Sequence, residues 1–286
     1  MRFSKLCPLL FLPMLLVVAA FGSSSYSRVI VYGDSHSDNG NIYRQLGIPG
    51  PPYWNGRWSN GPVAVEDLAA TLHVPLVDDA WAGATTGVGN ILDGGTTTTL
   101  GSDRLPGMTT TFNATKYSFP PAILQTALFV IWGGGNDFGT DGYTPTVAEH
   151  AASNVIAIAN QLQRLGARSI LVIGMRDEGL DPEYVAQGPQ IAALLTSLSN
   201  DYNQTLTAGL PPGILYDDTY SLEHRIISNP GAYGLTDVSD PCYNNGVVCG
   251  NPDGYFFWDG VHMTKHTHML FAREFSVKVC RSFCFQ

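Results

Sequence analysis

Apolar residues recur along the chain in two rhythms. Short β-branched runs at Arg28–Tyr32, Leu128–Trp132, Ser169–Ile173 and Ile214–Tyr216, with a weaker one at Val74–Val77, predict strands. Between them the spacing changes to threes and fours. Val147, Ala151, Val155, Ile158, Leu162 and Leu165 mark a helix face over 146–165, and Ile191, Leu195, Leu198, Tyr202 and Leu206 mark another over 189–209. Pro62–Leu72 and Thr264–Val279 also read as helices. Short strands alternating with longer helices predict an α/β fold, its parallel sheet covered on both faces. The stretch 83–121 keeps neither rhythm. It is rich in Gly and Thr, with Thr96–Thr99 and Thr109–Thr111, and reads as a long loop: either plain surface, or a wall or lid over an active site.

The first residues follow a different pattern. Arg2 and Lys5 precede an apolar run from Leu9 to Phe21, broken by Pro13 and followed by small residues Gly22–Ser25. This predicts a cleaved signal peptide over 1–24, since a membrane anchor needs about 20 unbroken apolar residues. Residues 25–286 then form a single domain, expected outside the cell. Without Arg2 and Lys5, Lys+Arg falls from 15 to 13 against Asp+Glu 24, so the net charge moves from −9 to −11. Such a balance argues against nucleic acid or an anionic membrane surface as partner. Cys7 leaves with the leader, and Cys242, Cys249, Cys280 and Cys284 remain. In an oxidising compartment they suggest disulfides. Three pairings are open; the short loops favour Cys242–Cys249 with Cys280–Cys284. No CxxC pair supports zinc. The tripeptides beginning at Asn113 and Asn203 are compatible with glycosylation.

Chemistry concentrates where predicted strands end. The first strand runs into Gly33-Asp34-Ser35-His36-Ser37, and a Ser just past a central parallel strand sits where such sheets place ligands. The bland reading of Ser35 is a helix cap. Near the other end stands Trp258-Asp259-Gly260-Val261-His262. An imidazole can take a Ser proton near neutral pH, and it needs a carboxylate to fix its tautomer. Gly83 follows the second strand and Asn136 the third, in Gly133-Gly134-Gly135-Asn136-Asp137. A Gly N–H and an Asn amide can both point at a developing oxyanion. The nucleophile-elbow pattern Gly-x-Ser-x-Gly is not met, because Ser37 stands where its second Gly belongs.

Taken together, Gly33-Asp34-Ser35, Gly83, Gly135-Asn136-Asp137 and Asp259-Gly-Val-His262 resemble the four signature blocks of the GDSL, or SGNH, hydrolase family. Gly56–Pro62 and the run from Asn229 to Cys242 resemble further segments of it. The resemblance implies a flavodoxin-like three-layer α/β/α sandwich. It also implies Ser35 as nucleophile, His262 as base, Asp259 as its orienter, and an oxyanion hole from Ser35, Gly83 and Asn136, with no cofactor and no metal. His36 stands where the family usually has Leu, Met263 where Pro is common, and Met175–Leu180 matches poorly. His262 and His266 have the i, i+4 spacing of one helix face and His268 lies nearby, but no acidic ligand set accompanies them, so a metal is not expected.

Trp54, Trp58 and Trp81 cluster around the first two blocks and are candidates for stacking on a sugar ring. The pattern looks most like the family's secreted fungal-type carbohydrate acetyl esterases, and next most like its extracellular lipases and phospholipases. The expectation is a secreted, monomeric hydrolase of short acyl groups on small-molecule or carbohydrate esters. A non-catalytic carbohydrate-binding protein on the same scaffold is the reading from another class.

Overall fold

A computed structural model describes residues 26–283. The leader expected at 1–24 and Cys284 of the second expected disulfide lie outside the described residues.

Five strands form one parallel sheet: β1 (Val29–Gly33), β2 (Leu76–Asp78), β3 (Leu128–Trp132), β4 (Ser169–Ile173) and β5 (Leu215–Asp217). Their spatial order is β2-β1-β3-β4-β5. Register runs from Val29 beside both Leu76 and Leu128. The central strands β1, β3 and β4 are buried along their whole length, as expected of strands covered on both faces.

Alternation along the strands sorts the side chains into two cores. Val29, Val31, Val130 and Leu171 face one side, where they meet Leu68 of the helix Ala64–Thr71, and Phe271 and Phe275 of the helix Lys265–Phe283. Ile30, Tyr32, Phe129 and Val172 face the other, against Val155 and Leu162 of Pro145–Leu165, and Leu198 and Leu206 of Pro189–Gly209. The architecture is therefore the three-layer sandwich read from the sequence. In this strand order the chain leaves β1 for β2 on one side and returns to β3 on the other, so the loops after β1 and β3 splay apart at their carboxyl ends. That crevice is where open α/β sheets bind ligands.

The stretch 83–121 is more ordered than its composition suggests. It holds a 3₁₀ turn at Ile91–Asp93 and a helix at Met108–Thr115, whose Met108 and Phe112 are buried in the second core. Thr109, Thr110 and Thr111 mask this helix in the sequence because their hydroxyls serve the backbone. They donate to the carbonyls of Thr86, Val88 and Gly107.

Cys242 and Cys249 form a disulfide across a small hairpin. Of the two expected glycosylation positions, Asn113 is exposed and Asn203 is buried in the folded chain. Its amide donates to the Met175 carbonyl and accepts from the Met175 N–H, which anchors the helix Pro189–Gly209 to the end of β4. His268 is buried and accepts from the Ala64 N–H through Nδ1; His266 sits on the Tyr233 carbonyl.

Candidate active site

The turn after β1 is forced by close approach. A Cβ at position 33 would lie 2.6 Å from the Trp132 carbonyl oxygen, so Gly33 lets β1 end tight against β3. The Asp34 carbonyl then accepts from the N–H groups of Ser37 and Asp38, and its carboxylate accepts from the His36 N–H. Ser35 is held at the crest of this turn. The Asp38 carboxylate collects the N–H groups of Gly40, Asn41 and Ile42, and also that of Ala82 from the loop after β2.

Two more side chains fix the neighbouring loops. Asp137 accepts from both the N–H and the hydroxyl of Thr86, and Asn136 donates to the Ala84 carbonyl at 3.0 Å. The loops after β1, β2 and β3 are thereby bound to one another. Gly83 has φ +77°, and a Cβ there would lie 2.4 Å from Asn90 Oδ1, so only Gly holds this conformation.

Ser35 Oγ lies 2.9 Å from His262 Nε2, and His262 Nδ1 lies 2.8 Å from Asp259 Oδ2. Asp259 Oδ1 accepts from the N–H groups of Val261 and His262, while Oδ2 accepts from the Tyr53 hydroxyl at 2.7 Å. The Trp58 ring packs on the imidazole with centroids 5.1 Å apart. Every polar atom of the carboxylate is thus occupied and the imidazole is clamped from the side. Burial alone would raise the Asp259 carboxyl, but the His262 charge and hydrogen bond, the Val261 N–H and the Tyr53 hydroxyl hold it at about 2. Ser35, Gly83, Asn136 and His262 line one cleft of about 220 Å³.

Comparison with known proteins gives the family. The GDSL-like lipase/acylhydrolase family model matches residues 29–275. The chain belongs to that family. It is similar to a phosphatidylcholine-sterol acyltransferase of Aeromonas hydrophila (28% identical, over 84% of this chain and 72% of the relative). It is also similar to a GDSL esterase/lipase of Arabidopsis thaliana (24% identical, over 87% and 88%). A solved structure from Lactobacillus plantarum shares the fold with a TM-score of 0.53 at 14% identity, covering 90% of this chain and 98% of that one. The protein is a carboxylic ester hydrolase of the GDSL type.

Of the three aromatic candidates, this GDSL hydrolase brings only Trp58 into the cleft. Trp81 packs against Ile42, Ala82 and Leu105 instead, and Trp54 lies exposed on the surface with Arg57 over its ring. His36 stacks on Trp132 at 5.3 Å with its ring tilted toward His262. Burial pushes its imidazole well below the usual range, so it is a neutral wall beside Ser35. Ile91 and Leu92, from the Gly- and Thr-rich stretch, line the cleft as well. One part of that stretch is therefore an active-site wall.

The sequence reading missed Tyr53 as a partner of Asp259, and in the turn after β4, where Met175–Leu180 matches the family poorly, it named no site residue. There Arg176, 2% exposed, bonds Asp181 through both terminal nitrogens, Glu223 at 2.7 Å and the Val261 carbonyl. It fastens this turn to the loop that carries Asp259 and His262. Glu178 follows two residues later and faces the cleft. The available signal was four charged residues within 176–181, just beyond the end of a central strand.

Burial pushes the Glu178 carboxyl from 4.5 up to about 7. Its folded pKa is raised, so its contribution to stability is full below about pH 4.5 and is lost as pH rises through 7. Glu178→Gln carries no such titration. Its stability relative to the parent, measured by urea unfolding, is expected to increase by about 3 kcal/mol between pH 4 and pH 8.5. An equal difference at both pH values would contradict the raised pKa.

Proposed function

We propose that Ser35 is the nucleophile of a two-step acyl transfer to water. The observation that carries this reading is the unbroken hydrogen-bond chain from Ser35 through His262 to Asp259. His262 takes the Ser35 proton as Oγ attacks the ester carbonyl, and Asp259 holds the tautomer and balances the imidazolium that forms. The N–H groups of Ser35 and Gly83 and the Asn136 amide receive the oxyanion. Each such donor is worth about 10²–10³ in rate when it is held in place. The alcohol leaves with the proton from His262, and water repeats the sequence on the acyl-enzyme.

The substrate we infer is a short acyl group, acetyl first, on a small or carbohydrate alcohol. Two features support it. The cleft, at about 220 Å³, is below the roughly 300–1,000 Å³ of sites that hold drug-sized ligands. Its wall after β4 is charged, with Arg176 and Glu178 beside the reacting groups. We also infer that the protein acts outside the cell, a reading supported by the leader pattern of residues 1–24 and by the Cys242–Cys249 bond. Among the described residues no helix is long and apolar enough to cross a membrane.

A lipase or phospholipase reading is favoured by one observation, the similarity to an acyltransferase named for phosphatidylcholine. Hydrolysis of p-nitrophenyl acetate, butyrate and octanoate separates the two. The short-acyl reading predicts that kcat/KM falls at least tenfold from acetate to octanoate. A preference for octanoate would replace it with the lipase reading.

A further inference from the structure

Five charged side chains are packed around the turn after β4, all at least nine-tenths buried. Four of them bond to one another or to nearby groups through their side chains, although Arg176 Nε has no partner among the described residues. Asp181 and Glu223 hold Arg176, and Glu223 also accepts from the Asp177 N–H. Asp177 accepts from the Gly179 N–H and the Thr196 hydroxyl, and pairs with His224. Glu178 is the exception. Its backbone N–H donates to Ser199 Oγ, yet among the described residues nothing donates a hydrogen bond to its carboxylate. A Cβ built on Gly135 would lie 2.9 and 3.1 Å from the two carboxylate oxygens, so the group rests on the residue directly before Asn136. It lines the same cleft as Ser35, Asn136 and His262.

A carboxyl whose oxygens open only to the cleft is desolvated when a ligand fills that cleft, a cost recovered where the ligand supplies a hydrogen bond. Two ligand chemistries would suit a carboxyl, a cation or a hydroxyl. The Arg176 guanidinium sits in the same cleft wall but is paired with Asp181 and Glu223, so the protonation of the carboxyl itself decides between the two. A carboxyl that holds its proton up to about neutral pH is both donor and acceptor, which a hydroxyl can match and an ammonium cannot.

We propose that Glu178 is a specificity-determining residue, hydrogen-bonding a hydroxyl on the alcohol portion of the ester beside the group held by Ser35 and Asn136. The assignment rests on the reading of Ser35 as nucleophile and narrows its substrates to esters of polyols and sugars. Esters without that hydroxyl leave the carboxyl desolvated and unpaired, the condition under which a polar site rejects an analogue most strongly.

Two esters of closely similar leaving-group reactivity test this: 2-hydroxyethyl acetate and 2-methoxyethyl acetate, which differ in whether the terminal oxygen can donate. The wild-type protein is expected to favour the hydroxyethyl ester at least tenfold in kcat/KM, equivalent to about 1.4 kcal/mol. Glu178→Leu should bring the ratio to about one, and Glu178→Gln, which keeps the shape and a hydrogen-bonding amide, should retain part of the preference. A wild-type ratio of one overturns the proposal without reference to any variant. So does a preference that survives Glu178→Leu, or faster Glu178-dependent turnover of acetylcholine than of the hydroxyethyl ester. If both acetates are cleaved equally by wild type and by neither Ser35→Ala nor His262→Ala, the nucleophile stands and only the role of Glu178 falls. If neither acetate is cleaved, or Ser35→Ala cleaves them as fast as wild type, the reading of Ser35 falls as well.

Discussion

Replacing Ser35 by alanine is expected to lower kcat for p-nitrophenyl acetate by on the order of 10⁶, the cost of removing such a nucleophile where it acts with its base as a unit. The side-chain contact that this removes is the one to His262. The turn itself is held by backbone groups of Asp34, Ser37 and Asp38 and by the Asp38 carboxylate, so the thermal midpoint should move by no more than a few degrees. On the proposed mechanism nucleophile and base act together, so adding His262→Ala to Ser35→Ala should cost almost nothing further. A double mutant ten times slower than the single one would mean that the two act separately.

Asp259→Asn is expected to be the next most damaging change, at roughly 10⁴ in kcat, as found where an orienting carboxylate loses its charge and permits the wrong imidazole tautomer. The shape is conserved, so the loss would be chemical. In this protein the carboxylate also receives two backbone N–H groups and the Tyr53 hydroxyl. An Asn that keeps its carbonyl oxygen toward the two backbone N–H groups turns its amide toward Tyr53 and Nδ1, and the ring must then present Nε2 protonated to Ser35. Steady-state kinetics of the purified variant check this. A loss below tenfold would show that the Trp58 and backbone contacts alone orient the imidazole.

The sandwich was legible because the central strands and the long helices keep their own rhythms, and Ser35, Gly83 and Asn136 follow strand ends. Edges were less legible. Val74 reads as strand, but its N–H closes the preceding helix on the Ala69 carbonyl, and β2 begins only at Leu76. The helix Met108–Thr115 was hidden by hydroxyls that bond backwards into the loop. Asn203 reads as a sequon, yet it lies one turn after buried Ser199 and beside Tyr202 on the packed face of its helix. Helical phase is a better guide to its exposure than the tripeptide. The Tyr53–Asp259 contact joins positions 206 residues apart, and no local pattern announces it. Glu178 stands in a charged run, but what marks it within that run is that nothing among the described residues donates to its carboxylate, which only packing reveals.

Covalent trapping tests the central claim most directly. The protein should be incubated with diisopropyl fluorophosphate, its residual activity on p-nitrophenyl acetate followed, and the digested peptides analysed by mass spectrometry. The account predicts one adduct per chain, on Ser35, formed in step with complete loss of activity and slowed by orders of magnitude in His262→Ala. An adduct on another residue, or full activity in protein fully modified at Ser35, would contradict it.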